Sequence, residues 1–179
     1  MENFYKILNL KVNHNKGISE ELLNTFPNIT PIPRPVFPFI GIPDAQWLVG
    51  FIDGEGCFII DIQKRIDRPN PTVVLYFYIT QHIRDYVLMN GLVNYFNCGY
   101  VIKKSKIDGV DFKVGQFEDI SLKIIPFLEK YPLQSVKKLN FEDWVKASKI
   151  IMNKEHKTLE GLNTIQTLKG NMNRNRKYE

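Results

Sequence analysis

The chain has 179 residues, 44% of them hydrophobic, and a formal net charge of +5 at pH 7. This length suits one domain with its own core, and the positive charge favours a polyanionic partner such as a nucleic acid. No apolar run reaches the roughly 18 residues that a membrane-spanning helix needs, and two cysteines with three scattered histidines give no zinc-ligand spacing.

Residues 1–42 are predicted to form a helical segment and a linker. An amphipathic helix followed by a loop is predicted over 4–26, where Gly17 interrupts the helical pattern and Ser19 is suited to start a second helix. The prolines between 30 and 38 favour an extended chain and exclude a helix there.

A compact pattern of elements begins at Pro43, which with Asp44 opens a predicted helix. The segment Asn97–Gly99 ends a later helix, and Asp108-Gly109 is suited to a tight hairpin turn that needs a positive φ. The elements after the first helix are predicted as strands over 56–65 and 72–81, a helix over 83–96, strands over 100–106 and 110–117, and helices over 119–130, 139–153 and 158–173.

The order α-β-β-α-β-β-α predicts an α+β fold for residues 43–179: a four-stranded antiparallel sheet with helices on one face. An internal repeat bears on the residues before it. The segment Ile7–Asn15 matches Ile165–Asn173 at five of nine positions. Chance similarity in a chain rich in Ile, Lys and Asn is one explanation. The one we favour is that residues 1–42 are the end of a preceding, similar module.

The helix that ends at Gly56 carries the main candidate site. Gly50 and Gly54 lie four residues apart on one helix face, where another backbone could approach closely enough to offset their cost to the helix. Asp53 and Glu55 stand at the helix C-terminus, where the macrodipole disfavours carboxylates. Such acids indicate a hard cation such as Mg²⁺, and the alternative is an ordinary helix end with solvated acids.

The segment Leu48–Gly56 (LVGFIDGEG) resembles the motif of the LAGLIDADG homing endonucleases, and Trp47 before it fits their mitochondrial intron-encoded branch. Further similarity extends over about residues 43–173, with matching segments at 79–82, 97–101, 124–127, 131–133, 141–144 and 156–161. The resemblance implies a site-specific DNA endonuclease that hydrolyses phosphodiester bonds with Mg²⁺ or Mn²⁺. It also implies a mitochondrial matrix protein, in agreement with a composition typical of AT-rich organelle genes.

The resemblance also assigns roles to individual residues. Glu55 is implied to be the catalytic metal ligand and Gly54 to lend its backbone carbonyl to the metal. Gln81 matches a polar residue that orients the attacking water, and Lys137 a basic residue near the scissile phosphate. The family's usual glycine near that lysine is Ser135 here, which leaves the alignment of Lys137 loose. Asp53 is interpreted as structural.

One face of the predicted sheet is expected to bind double-stranded DNA in the major groove. The alternative is a merely solvated sheet face. Asp61 and Asp111 are the candidates for sequence specificity, because a carboxylate can accept from a cytosine amino group. The full predicted set is Asp61, Gln63, Arg65, Thr72, Tyr76, Tyr78, Thr80, Tyr100, Lys104, Lys106, Asp111 and Lys113.

The sequence contains one copy of the motif, whereas the resemblance implies that two are needed to cut both DNA strands. The expected partner is therefore a second LAGLIDADG module that packs against Gly50 and Gly54, either in a homodimer or as a separate N-terminal half. The competing hypothesis is a module that does not cut and binds RNA, as an intron maturase or as a component of an RNA–protein assembly.

Overall fold

The architecture follows from a computed structural model, which describes residues 2–14, 17, 19–29, 38–64 and 71–176. The chain divides into two units, residues 1–38 and 39–179. The proline-rich linker predicted over 30–37 lies outside the described residues.

The described part of the first unit contains two helices, α1 (Glu2–Val12) and α2 (Glu20–Thr25). Gly17 lies between them with φ +80°, and the Ser19 side chain caps α2 by accepting from the Leu22 backbone N–H at 3.4 Å. The predicted helix break and second helix start are therefore confirmed. A small core of Leu8, Val12 and Ile29 holds this unit together.

The second unit begins with the helix α3 (Ala45–Glu55), followed without a loop by strand β1 (Gly56–Gln63). The elements that follow are β2 (Thr72–His82), a 3₁₀ turn (Ile83–Asp85), α4 (Tyr86–Phe96), β3 (Tyr100–Lys103), β4 (Gly109–Val114), α5 (Phe117–Asp119), a π-helical turn (Ile120–Ile124), α6 (Ile125–Lys130), α7 (Lys137–Met152), a 3₁₀ turn (Glu155–Lys157), α8 (Leu159–Gly170) and a 3₁₀ turn (Asn173–Asn175). No helix in the described ranges is long and apolar enough to cross a membrane.

The four strands form one antiparallel sheet in the order β1-β2-β4-β3. Alternate residues of the strands are buried on the core face, which includes Phe58, Phe77 and Phe112, each with no exposed surface. The residues between them lie on the opposite face and are at least partly exposed. The predicted α+β fold, with an antiparallel sheet that has one face on the core, is confirmed.

Side chains from the C-terminal half of the chain also bind β1. The Trp144 indole N–H donates to the Ile59 carbonyl at 3.1 Å, and the Asn173 amide donates to the Phe58 carbonyl at 3.0 Å. These two contacts join the sheet to α7 and to the C-terminal 3₁₀ turn.

The predicted hairpin turn at Asp108-Gly109 is wrong. Strand β3 ends at Lys103 and β4 begins at Gly109, so residues 104–108 form a longer loop. A Cβ on Gly109 would lie 3.1 Å from Lys104 Cδ and 3.3 Å from Ile107 Cδ1, and Gly109 does not have a positive φ. A side chain there would therefore be tight against two flexible side chains, and the glycine does not supply the positive φ that a tight turn needs.

Candidate active site and nucleic-acid interface

The motif helix α3 has one buried and one open face. Its N-terminus is capped by Asp44, whose carboxylate accepts from the Trp47 backbone N–H at 2.9 Å. On the open face Trp47 stacks on Phe51 with ring centroids 5.3 Å apart, and a Cβ built on Gly50 or Gly54 would meet nothing within 4 Å. The buried face carries Leu48, Val49 and Ile52.

The face formed by Trp47, Gly50, Phe51 and Gly54, called here the glycine seam, is thus unfilled within the described part of the chain. Two glycines inside an 11-residue helix lower its stability by roughly 0.5–1 kcal/mol each relative to alanine. No contact within the unit uses the space that they leave. The seam is suited to close approach by another backbone.

The carboxylate of Asp53 joins the end of α3 to the loop before α7. It accepts from the backbone N–H groups of Gln134 and Ser135 at 3.0 and 2.8 Å, and from the Ser135 hydroxyl at 2.5 Å. Burial opposes the charged form, but these hydrogen bonds and the nearby Lys137 outweigh it and lower the pKa of Asp53. Asp53 therefore remains ionised and holds the loop.

Lys137, the first residue of α7, lies at the C-terminus of the motif helix. Its ammonium donates to the carbonyls of Ile52 and Gly54 at 3.2 and 2.9 Å, a position that the helix dipole favours for a cation. Its backbone N–H donates to Ser135 Oγ at 3.1 Å. Partial burial lowers the pKa of Lys137, although Asp53 and Glu55 act in the opposite direction.

The Glu55 side chain is exposed beside Lys137 and makes no hydrogen bond or ion pair within the described residues. The next residue, Gly56, pairs with Ile79 of β2. Gln81 lies two residues further along β2, on the face of the sheet that is turned toward the core. The motif helix and β2 thus bring the three predicted catalytic residues, Glu55, Gln81 and Lys137, toward one end of the sheet.

The donor atoms of the site determine what kind of metal centre this chain could hold. Among the described residues, no three acidic, histidine or cysteine side chains form a cluster that could bind a metal ion. Glu55 supplies one free carboxylate, and the Gly54 carbonyl already accepts from Lys137. A hard cation needs six or more oxygen ligands. If a hard cation binds here, Glu55 is one candidate ligand, and the remaining ligands would be water, phosphate or groups of another chain.

The exposed sheet face brings together most of the residues predicted to bind DNA. Cys57, Tyr78, Lys113 and Tyr100 form one row across the four strands. Thr80 and Asp111 form the next row, where the Thr80 hydroxyl donates to Asp111 at 2.6 Å. Asp61, Gln63, Thr72 and Tyr76 lie further along β1 and β2 on the same face.

Two predicted members differ from the expected placement, and a third cannot be placed. Lys104 and Lys106 belong to the loop after β3 and not to the strand, although Lys104 Nζ reaches Asp111 Oδ1 at 3.0 Å. Arg65 lies outside the described residues. The loop position of the two lysines follows from the early end of β3 at Lys103.

Ser135 and Gly115 contribute to the site in ways that the sequence did not reveal. The Ser135 hydroxyl donates to Asp53 Oδ1 and accepts from the backbone N–H of Lys137. Gly115 leaves room for the Tyr76 ring, since a Cβ there would lie 2.8 Å from Tyr76 Cε1. The replacement of the usual glycine by Ser135 was the one available signal for the first role.

Comparison with known proteins agrees with this geometry. The sequence profile of the family described as LAGLIDADG endonuclease matches residues 48–148. Two Neurospora crassa proteins, probable intron-encoded endonucleases 3 and 2, are each 32% identical to the chain. The matches cover 95% and 96% of this chain but only 32% and 39% of those proteins.

A crystal structure of the LAGLIDADG homing endonuclease I-SmaMI bound to cleaved DNA shares the fold, with a TM-score of 0.91 and 42% sequence identity. The match covers 98% of this chain and 59% of that one. I-SmaMI has also been solved on uncleaved DNA in the presence of calcium ions. The chain thus spans between a third and three fifths of the length of these relatives. With the motif helix, the sheet and the matched profile in agreement, this chain belongs to the LAGLIDADG endonuclease family.

Proposed function

We propose that the chain is one module of a site-specific endonuclease that hydrolyses phosphodiester bonds in double-stranded DNA. One observation carries the proposal: the free carboxylate of Glu55 lies beside the ammonium of Lys137 at the open end of the glycine seam. In this arrangement Glu55, a candidate metal ligand, lies next to Lys137, a cation suited to bind a phosphate. Both are close to a sheet face lined with polar side chains. The DNA complex of I-SmaMI supports the same conclusion.

The proposed chemistry divides between the protein and a divalent cation. Mg²⁺ or Mn²⁺, held by Glu55 together with an acid from a second module, would supply a metal-activated water and charge stabilisation at the phosphate. We assign Lys137 the neutralisation of charge on the phosphate, and its two hydrogen bonds to helix carbonyls, which fix the ammonium, support that role. We assign Gln81 the positioning of the attacking water, and Asp53 the fixing of the loop that carries Lys137.

The second module is proposed to pack against the glycine seam, which supplies the close backbone approach that its glycines allow. The first unit suggests the source of that module. Ile7 and Leu10 of α1 are 65% and 73% exposed, whereas their counterparts in the internal repeat, Ile165 and Leu168, pack against the core of the second unit. We infer that α1 closes a preceding module, which makes a two-module protein our first choice over a homodimer.

The proposed location is the mitochondrion. Relatives of this chain include intron-encoded endonucleases of fungi and a protein of Saccharomyces cerevisiae described as mitochondrial. An organelle gene also agrees with the scarcity of alanine, which occurs only at Ala45 and Ala147.

Cleavage of a randomised duplex library in Mg²⁺ tests the proposal, with the chain alone and with a tandem fusion of two copies. The Glu55→Gln variant should lose strand cleavage and keep its DNA affinity, because the substitution removes a charge and not the fold. Glu142→Gln, a change at an exposed glutamate of α7, should cut like the unaltered protein.

Three results would contradict the proposal. They are cleavage by the Glu55→Gln fusion, loss of cleavage in the Glu142→Gln control, and a clear preference of the unaltered protein for structured RNA over duplex DNA. The last result would instead favour a module that binds RNA without cutting DNA.

A further inference from the structure

A lysine packed between tyrosine rings lies in the middle of the exposed sheet face. Lys113 Nζ is 4.0 Å from the centroid of the Tyr76 ring and 5.1 Å from that of Tyr78. The two rings contact each other, with centroids 5.7 Å apart. Tyr100 of β3 pairs with Lys113 from the other side. Lys113 therefore has aromatic neighbours on both adjacent strands.

This environment restricts the movement of Lys113. Burial opposes the charged ammonium, but the surrounding tyrosines outweigh this effect and raise the pKa of Lys113. The Tyr76 ring in turn depends on the missing side chain of Gly115. A lysine held in this way is less able to extend toward a distant phosphate than one on a free loop, such as Lys106.

Asp111 occupies the next position of β4 on the same face. Its Oδ1 accepts from the Thr80 hydroxyl at 2.6 Å and lies 3.0 Å from Lys104 Nζ. Its Oδ2 makes no hydrogen bond with any described residue. The two contacts fix the carboxylate and leave one oxygen available as an acceptor.

From these contacts we propose that Lys113 and Asp111 determine sequence specificity, Lys113 by contacting a guanine and Asp111 by accepting from a cytosine amino group. The inference rests on the proposed function, that the sheet face binds duplex DNA. Guanine presents two acceptors, N7 and O6, in the major groove, whereas cytosine presents an amino donor there. Both residues lie on β4, which has a strand on each side, so they face the groove floor rather than its phosphate rims.

The strand geometry limits the spacing of the two bases. Same-face neighbours on a strand are about 6.8 Å apart, and successive base pairs are separated by about 3.4 Å. The guanine and the cytosine should therefore be at most two base-pair steps apart in the bound site. This pattern is a property of the target that can be measured without knowing its sequence beforehand.

Selection of binding sites from a fully randomised duplex library tests the inference, using the full chain. The unaltered protein should enrich a guanine and a cytosine at the stated spacing. Lys113→Met keeps the apolar stem and should lose the guanine preference, about tenfold in relative affinity. Lys113→Arg should retain it, because arginine also donates to N7 and O6. Asp111→Asn should lose the cytosine preference alone.

Lys103→Met provides the matched control. Lys103 also lies over a tyrosine, with Nζ 4.9 Å from the Tyr86 ring centroid. It pairs with the buried Val110, however, and therefore lies on the opposite face of the sheet from Lys113. Its substitution should leave base preferences unchanged. If Lys113→Met weakens binding to all sequences equally, Lys113 is a phosphate contact and the inference fails while the proposed function stands. If the unaltered chain enriches no sequence, both fail.

Discussion

The carboxylate of Asp53 should stabilise the loop before α7, and its removal tests that link. A hydrogen bond to a charged group contributes about 1.5–3 kcal/mol, and Asp53 accepts from two N–H groups and one hydroxyl. Its partial exposure reduces each contribution. Asp53→Ala should therefore lower the free energy of unfolding by about 2–3 kcal/mol. Asp53→Asn keeps the shape of the side chain and removes its charge, so it should lower the free energy of unfolding by about 1 kcal/mol.

The pH dependence gives the sharper measurement. Because the folded-state pKa of Asp53 is lowered, its stabilising effect is complete above the unfolded value, about 3.9, and is lost as pH falls through the folded value. In urea unfolding, the difference in the free energy of unfolding between the unaltered protein and Asp53→Asn should be constant from pH 7 to about 5. This difference should become smaller below about pH 4.

Asp85→Asn serves as the control for that measurement, since Asp85 is 3.6 Å from exposed Arg84 and should contribute less than about 0.5 kcal/mol. Equal stability of Asp53→Asn and the unaltered protein at pH 7 would refute the reasoning. A gap that stays constant to pH 3.5 would refute it as well.

Two further predictions concern stability and pairing. Gly50→Ala should raise the stability of the isolated chain by about 0.5–1 kcal/mol, because the added Cβ meets nothing within 4 Å. The same substitution should weaken module pairing, which sedimentation of the chain and of the tandem fusion would measure. A Gly50→Ala chain that is less stable than the unaltered one would show that the glycine seam is already filled. Arg176→Met should lower the free energy of unfolding by about 1–2 kcal/mol, because the guanidinium contacts the carboxylate of Asp143, which is 13% exposed and then keeps only the exposed Lys146 as an ion-pair partner. Asp143→Leu in the same chain should recover most of that loss in urea unfolding, and a purely additive second loss would contradict the ion-pair explanation.

The elements were predictable because their signals are local. Ser19 and Asp44 mark helix starts through hydrogen bonds to residues three positions ahead, and alternation along β1 and β2 follows the two-residue period of a strand. The prediction of a tight hairpin turn was wrong because it also relied on a local signal. A two-residue signal at Asp108-Gly109 cannot report that the chain needs a longer loop before it.

The site was less accessible to sequence reasoning, because its contacts are distant along the chain. The bonds from Ser135 to Asp53 and from Lys137 to Gly54 join residues 82 and 83 positions apart. No periodic pattern reports such a pair. The resemblance indicated Lys137 but left its register loose at Ser135, and in the structure that serine bridges Asp53 and Lys137.

The two charges that we propose to be catalytic are held very differently. Lys137 is fixed by two carbonyls and by the Asp53–Ser135 link before any partner binds. Glu55 has no hydrogen bond within the described residues and lies at the end of the open glycine seam. Among the described residues, no other acidic, histidine or cysteine side chains join Glu55 in a cluster that could bind a metal ion. In the proposed enzyme, module pairing would therefore order Glu55, and an unpaired module would bind DNA through its sheet without cutting it.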